Sequence, residues 1–299
     1  MTIGNFPRRI LLLVTGLTPQ VVTETLYALA VSSEQQFMPT EIHVITTMEG
    51  AQRARLTLLD ALAGQFHALC REYKLPAIQF PASNIHVIPD AEGESLSDIR
   101  TPEDNLRAAD FISHWVQEFC SDDHAALHVS IAGGRKSMGF FVGYALSLFG
   151  RKQDALSHVL VNDPFESLPD FFFPPTQGRV LHARDGRPAH TDDARIMLAD
   201  IPFVRLRGGV PTSLLSGKVS FAETVSGVQS GLNFVSLVID VKKLAICCGG
   251  KWIVLQPSNF AFYLWIAKRC LGGIPDGGGI LRVGNSAEFI RLSTEFLSI

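Results

Sequence analysis

Four times within its first 150 residues the chain passes from a short apolar run into a stretch with helical spacing, and a fifth apolar run follows. That alternation restricts the fold more than any other feature. The runs are RILLLVT (9–15), EIHVITT (41–47), NIHVIPD (84–90), ALHVSIA (126–132) and SHVLVND (157–163). They are largely apolar throughout rather than alternating, the pattern of strands covered on both faces. Between them lie PQVVTETLYALAVS, with Val21, Leu26 and Leu29 on one side, then AQRARLTLLDALAGQFHALCREY, TPEDNLRAADFISHWVQEFC and KSMGFFVGYALSLFG. Thr101 as N-cap with Pro102 at the first helical position marks a helix start. The rhythm predicts an α/β fold, a doubly wound and mainly parallel sheet with helices on both faces.

After residue 163 the rhythm stops. The segment DPFESLPDFFFPPTQGRVLHARDGRPAHTDDAR clusters Pro, Gly and Asp, which marks turns and a boundary region, with DFFFPP as an apolar strand or a clasp on the first domain. From about residue 198 Gly- and Ser-rich pieces such as LRGGVPTSLLSGKVS appear. Residues 237–270 read as two strands around a Gly249–Gly250 hairpin turn, then a helix after Pro257 and Ser258, compatible with part of a winged-helix unit. The tail from Leu271 is glycine-rich and aperiodic. The expected division is a domain over 1–198 and a smaller, partly winged-helix-like one over 199–299.

Composition narrows the function classes. With 46% hydrophobic and 18% charged residues the chain is globular, and a net charge of -3 argues against non-specific coating of nucleic acid. An anionic ligand therefore needs a local positive pocket. Five cysteines without CxxC spacing fit neither a disulfide framework nor a zinc site, so a reducing cytoplasm is expected. The apolar run after Arg8 and Arg9 ends at Thr15, short of a signal-peptide core of roughly 7–15 residues, and no stretch reaches the ~18 residues of a membrane span. The nine histidines show no HExxH or similar spacing, and neither a metal nor a cofactor is expected. His43, His86 and His128 fall inside strand runs, where core or edge placement is the simplest reading.

In open α/β sheets ligands bind beyond the carboxyl ends of the strands, and two turns there carry chemistry. In TGLTPQVVTET, Gly16 allows a sharp exit from the strand, Thr18 is placed to cap the helix and Pro19 suits its first position. The alternative is an ordinary βα turn. In SIAGGRKSMG, Gly133 and Gly134 let the backbone approach a ligand, and Ser137 with nearby N–H groups suits phosphate oxygens. Arg135 adds a planar fork and Lys136 a compact charge. Two cations at a helix N-terminus are unfavourable unless an anion arrives there; the alternative is that both point into water. Neither GxGxxG nor a Walker A loop is present.

Together, VTGLTPQVVTETLYAL, SIAGGRKSM and LSHVLVNDPFESLPDFFFP make the chain resemble the CRISPR-associated NE0113 family, over about residues 8–175. The resemblance implies a CARF domain (a CRISPR-associated Rossmann fold) that forms a homodimer and binds cyclic oligoadenylate, cyclic tetra-adenylate above all. A symmetric four-membered ring suits a two-fold dimer. It also implies ring-nuclease activity without a metal, with the ribose 2′-OH attacking the adjacent phosphorus. In that reading Lys136 stabilises charge or the leaving group, and Thr18 or Thr15 orients the 2′-OH. Ligand contacts fall to Gly16, Leu17, Pro19 and Gln20 in the first turn, and to Ala132, Gly133, Gly134, Arg135, Ser137 and Met138 in the second. Asn105 is a candidate for adenine recognition, with a plain exposed polar residue as the alternative.

Two rival readings are a sensor that binds the ring without cutting it and a regulator that binds DNA through its winged helix. The second has little behind it, because SNFAFYLWIAKRC carries only Lys268 and Arg269. Related effectors carry a HEPN ribonuclease motif, R-x4–6-H on a helix. Arg184 to His190 spans Gly186 and Pro188, which a helix interior resists, and Arg151 to His158 lies within the first domain; both spacings read as coincidence. DAEGESLSD (90–98) reads as a solvated loop.

Overall fold

The computed structural model describes residues 6–33, 37–183, 185–209, 219–232, 237–248 and 251–271. Two compact units divide the chain, residues 1–225 and 226–299. The first contains β1 (Arg8–Val14), α1 (Gln20–Tyr27), β2 (Glu41–Thr46), α2 (Met48–Leu58), α3 (Gln65–Glu72), β3 (Ile85–Val87), α4 (Pro102–Ser121), β4 (Ala125–Ser130), α5 (Lys136–Phe149) and β5 (Ala155–Val161). It continues with a two-stranded hairpin, β6 (Val180–His182) and β7 (Pro188–His190), and with β8 (Ile196–Asp200). The boundary expected at 198/199 falls inside β8.

The main sheet runs β3-β2-β1-β4-β5-β8. Neighbours from β3 through β5 pair in parallel, and β8 closes the edge antiparallel to β5. The mixed α/β fold, with a mainly parallel Rossmann-like sheet, is as the apolar runs predicted. Its centre is dry: Ile10 to Val14 are all at most 1% exposed, and every residue of β4 is buried. Leu11 and Leu13 pack with Val21, Val22 and Leu26 of α1, so burying the strand also seats the helix.

Local chemistry explains where the elements differ from expectation. The helical run over 51–73 is two helices, because the Asp60 carboxylate accepts the N–H groups of Leu62 and Ala63 at 3.0 and 2.8 Å and takes the chain out of helix. The run at 84–90 holds only a three-residue strand. DFFFPP is a clasp and not a strand: Phe171, Phe172 and Phe173 are buried in the first unit's cores, and the Tyr73 hydroxyl donates to the Pro174 carbonyl at 2.6 Å. At Thr101 the capping box is complete, with Asp104 N–H on the threonine hydroxyl and Thr101 N–H on the Asp104 carboxylate. The strand histidines are core and edge residues as read. His128 bonds Ser157 at 2.7 Å, His43 bridges Glu41 and His86, and burial pushes His86 and His128 down to about 4.

The second unit has a three-stranded antiparallel sheet, β9 (Leu237–Asp240), β10 (Ala245–Cys248) and β11 (Lys251–Val254), followed by α7 (Pro257–Leu271). A helix α6 (Phe221–Leu232) spans the division between the units. Ile246 packs on Phe260 and Leu264, which gives this unit its own small core. The Gly249–Gly250 turn, the glycine-rich tail and most of LRGGVPTSLLSGKVS lie outside the described residues. No helix among the described residues is long and apolar enough to cross a membrane.

Candidate functional site

The strand order reverses between β1 and β4. The chain walks outward through β2 and β3 on one side, then returns to place β4 and β5 on the other. A crevice is expected at the carboxyl ends of those two central strands. Leu13 pairs with Ser130, so the strands end level with each other and their following turns meet.

The β4–α5 turn is built around Gly134, whose φ of +79° is a conformation that L side chains resist. Arg135 is the N-cap of α5 in extended conformation; the cap makes no side-chain hydrogen bond and no acidic residue lies in the first turn. The positive end of the helix is therefore uncompensated from within. Across the crevice, α2 enters close: a Cβ on Gly50 would lie 2.8 Å from the Gly16 carbonyl oxygen, so only glycine lets its first turn sit against the β1–α1 turn.

These approaches enclose a cavity of about 690 Å³, lined by Gly16 and Leu17, Thr47 and Glu49, Asp98, and Gly134 through Met138. Its two cations and two carboxylates balance in formal charge. Arg135 forks onto Asp98, with Nε on Oδ1 at 3.1 Å and Nη2 on Oδ2. That fork, followed by an N–H from Ile99, holds the Asp98 carboxyl below the usual carboxylate range. Among the described residues Lys136 has no ion-pair partner, and the Glu49 side chain has neither an ion pair nor a hydrogen bond. The unengaged charges of the cavity are thus one ammonium and one carboxylate.

Seven of the residues singled out from sequence come together on this wall: Gly16, Leu17, Gly134, Arg135, Lys136, Ser137 and Met138. The others stand back from it. Thr15 is fully buried with its hydroxyl on the Gly16 carbonyl at 3.1 Å. Thr18 is exposed and does not cap α1; Pro19 is the N-cap, so the helix starts one residue later than expected. Gln20 donates to the Pro169 carbonyl at 2.9 Å and buries its other amide atom, Oε1, without a partner. Asn105 lies in the first turn of α4, half-buried and outside the cavity lining. Ala132 packs against the cores, and an added Cβ on Gly133 would come within 3.0 Å of the Val14 carbonyl oxygen.

Sequence reasoning missed Thr47, Glu49 and Asp98. Thr47 and Glu49 were findable, because they follow β2 as the two chosen turns follow β1 and β4. Asp98 stood in a loop read as solvated, yet Leu96 and Ile99 on either side of it are buried anchors. Of the HEPN spacings, Arg184 lies outside the described residues, and Arg151 is buried on Asp154 at 2.9 Å in a structural ion pair.

The family model described as CRISPR-associated protein NE0113 matches residues 18–232. No curated protein matches the chain.

Proposed function

The chain belongs to the CRISPR-associated NE0113 family, and from that premise we propose that it is a ring nuclease which binds cyclic oligoadenylate, cyclic tetra-adenylate in the first place, and opens it. The observation that carries this reading is an unpaired Lys136 at an uncapped helix N-terminus, beside Arg135, in a cavity at the sheet's reversal point. A phosphodiester seated there meets the first-turn N–H groups of α5, the ammonium and the free edge of the guanidinium. The ribose 2′-oxygen attacks the adjacent phosphorus and its proton is lost. The P–O5′ bond breaks with its electron pair going to O5′, which is protonated, leaving a linear product with a 2′,3′-cyclic phosphate. The protein's part is to hold the 2′-OH in line and to stabilise charge on the phosphorane, so the step needs no metal.

The ligand's symmetry asks for a second copy. Phe140, 62% exposed, stacks on Tyr144 one turn beyond Lys136 on α5, an apolar patch that a second copy would cover. Ring binding belongs in this reading to the CARF domain of the first unit, in a cytoplasmic protein. The smaller C-terminal domain, read from sequence as partly winged-helix-like, has a three-stranded antiparallel sheet followed by α7, whose two basic residues lie in its last turn and offer little for DNA contact.

Incubation with radiolabelled cyclic tetra-adenylate in EDTA, resolved over time, tests the proposal. Conversion to linear product ending in a cyclic phosphate is the expected result. A ring that stays intact while raising the melting temperature would replace the nuclease with a sensor, and a ring that does not bind would remove the ligand.

A further inference from the structure

The cavity is odd for a site that takes only an anion. Two of its lining residues are carboxylates, which repel phosphate unless something intervenes. Asp98 is accounted for: its oxygens are spent on the fork of Arg135 and on the Ile99 N–H, and the buried side chains of Leu96 and Ile99 fix the loop that carries it. Asp98 thereby spares Arg135 part of the rotamer entropy that an unsupported arginine loses on binding. Glu49 is not accounted for. It lies in the first turn of α2 and lines the cavity, its side chain without a partner among the described residues.

An unengaged carboxylate on the same wall as an unengaged ammonium fits a ligand that carries a hydrogen-bond donor a few ångströms from its phosphate. In a ribonucleotide that donor is the sugar's 2′-OH, next to the 3′-phosphate; the exocyclic amine of the base lies farther away. Resting on the ring-binding reading above, we propose that Glu49 is the specificity-determining residue that accepts the ligand's 2′-OH and so selects ribose over deoxyribose. The hydroxyls expected to do this from sequence are turned elsewhere: Thr15 bonds its neighbour's carbonyl, and Thr18 lies outside the cavity lining. Without a donor from the ligand, the carboxylate loses its hydration and opposes the phosphate. A deoxy ligand is therefore penalised twice.

The experiment is brief binding on ice of cyclic tetra-adenylate and of its all-2′-deoxy analogue to the full chain, comparing wild type with Glu49→Ala and Glu49→Gln. A hydrogen bond to a charged group corresponds to roughly 10–100-fold in affinity and a two-fold dimer makes it twice per ring, so wild type should prefer the ribo ring by roughly 10²–10⁴-fold. Glu49→Ala should bring the ratio to within about threefold, with Glu49→Gln between, since a neutral amide oxygen accepts more weakly. Glu49 is exposed, and unchanged melting of both variants is expected. A Glu49→Ala protein that keeps the wild-type ratio overturns the assignment and leaves ring binding standing. Equal binding of both rings by wild type does the same. Binding of neither ring overturns the assignment together with the reading beneath it.

Discussion

The β1–α1 and β4–α5 turns look alike as sequence and behave differently as structure. Both leave a central strand, contain glycine and start a helix, and their backbones meet, Gly134 Cα standing 3.5 Å from where a Gly16 Cβ would sit. In the β4–α5 turn the charged groups face outward: a left-handed glycine turns the chain, the helix end is left uncapped, and Arg135 and Lys136 project at the cavity. In the β1–α1 turn and its helix most hydrogen-bonding side chains turn inward, while Leu17 and Thr18 stay exposed. The Thr15 hydroxyl serves its own backbone, Thr25 meets Ser130 of β4 at 3.2 Å in the core, and Gln20 is tied to the clasp segment. One turn presents chemistry and the other is the wall that it stands against. The shared position at the reversal point identifies the crevice; only the direction of the polar groups says which turn acts.

The largest expected effect is on the acting turn. Lys136→Ala should keep its fold, because an exposed first-turn lysine contributes little to a core, and should lose ring cleavage by about 10²–10³-fold, the usual loss for a removed transition-state donor. Single-turnover rates in excess enzyme read this directly, and wild-type rates from the variant would end the assigned role. Next comes a change behind the supporting turn. Glu24 is 7% exposed on α1, and burial, with Glu166 adding repulsion, pushes its carboxyl up to about 8. A carboxyl whose folded pKa exceeds its unfolded value stabilises the fold fully below the unfolded value of 4.5 and loses that contribution as pH rises to about 8. Glu24→Gln removes the loss, so the variant should gain on wild type with rising pH, by on the order of 4 kcal/mol at pH 8, or roughly 8–16 °C in melting temperature. Melting curves at pH 5 and pH 8 check it; an equal gain at both would show that Glu24 does not titrate in the fold.

How much of this was legible follows from which groups decide each element. The sheet was legible because Ile10 to Val14 must be covered on both faces, and a continuous apolar run records that. The break at Asp60 was not, since a side chain that outcompetes the helix for N–H groups looks like any other helix-surface carboxylate. Nor was β8, whose partner β5 lies some forty residues back across a Pro- and Gly-rich segment, a pairing that no local pattern announces. At the site, the glycine turns stood out because glycine marks backbone needs. Glu49 and Asp98 did not, because a carboxylate's role depends on what faces it, and that is set by the register of three strands.

A pair of glycine substitutions sharpens the contrast between the turns. Alanine at Gly134 must hold a left-handed φ, which costs about 1–2 kcal/mol, whereas Gly16 lies outside the left-handed region and its added methyl would make only ordinary contact with Gly134. Urea melts should therefore show Gly134→Ala destabilised and Gly16→Ala within about 0.5 kcal/mol of wild type. Equal losses would mean that both turns depend on glycine for their shape.

The smallest expected effect discriminates best between the sequence pattern and the fold. In TGLTPQ, Thr18 occupies the position of a helix N-cap, where removal of the hydroxyl costs about 1 kcal/mol when the cap is formed. Here α1 begins on Pro19, and Val22 N–H is satisfied at 3.0 Å by the Pro19 carbonyl, so the Thr18 hydroxyl serves no helix donor. Thr18→Ala should consequently leave stability unchanged within about 0.5 kcal/mol, as for an ordinary surface position. The ring assay then isolates any role in the ligand complex. A drop in cleavage with unchanged melting would bring Thr18 into the site when the ring is bound and make the supporting turn an acting one. A full cap's worth of lost stability would show instead that the helix starts where its sequence says, one residue earlier.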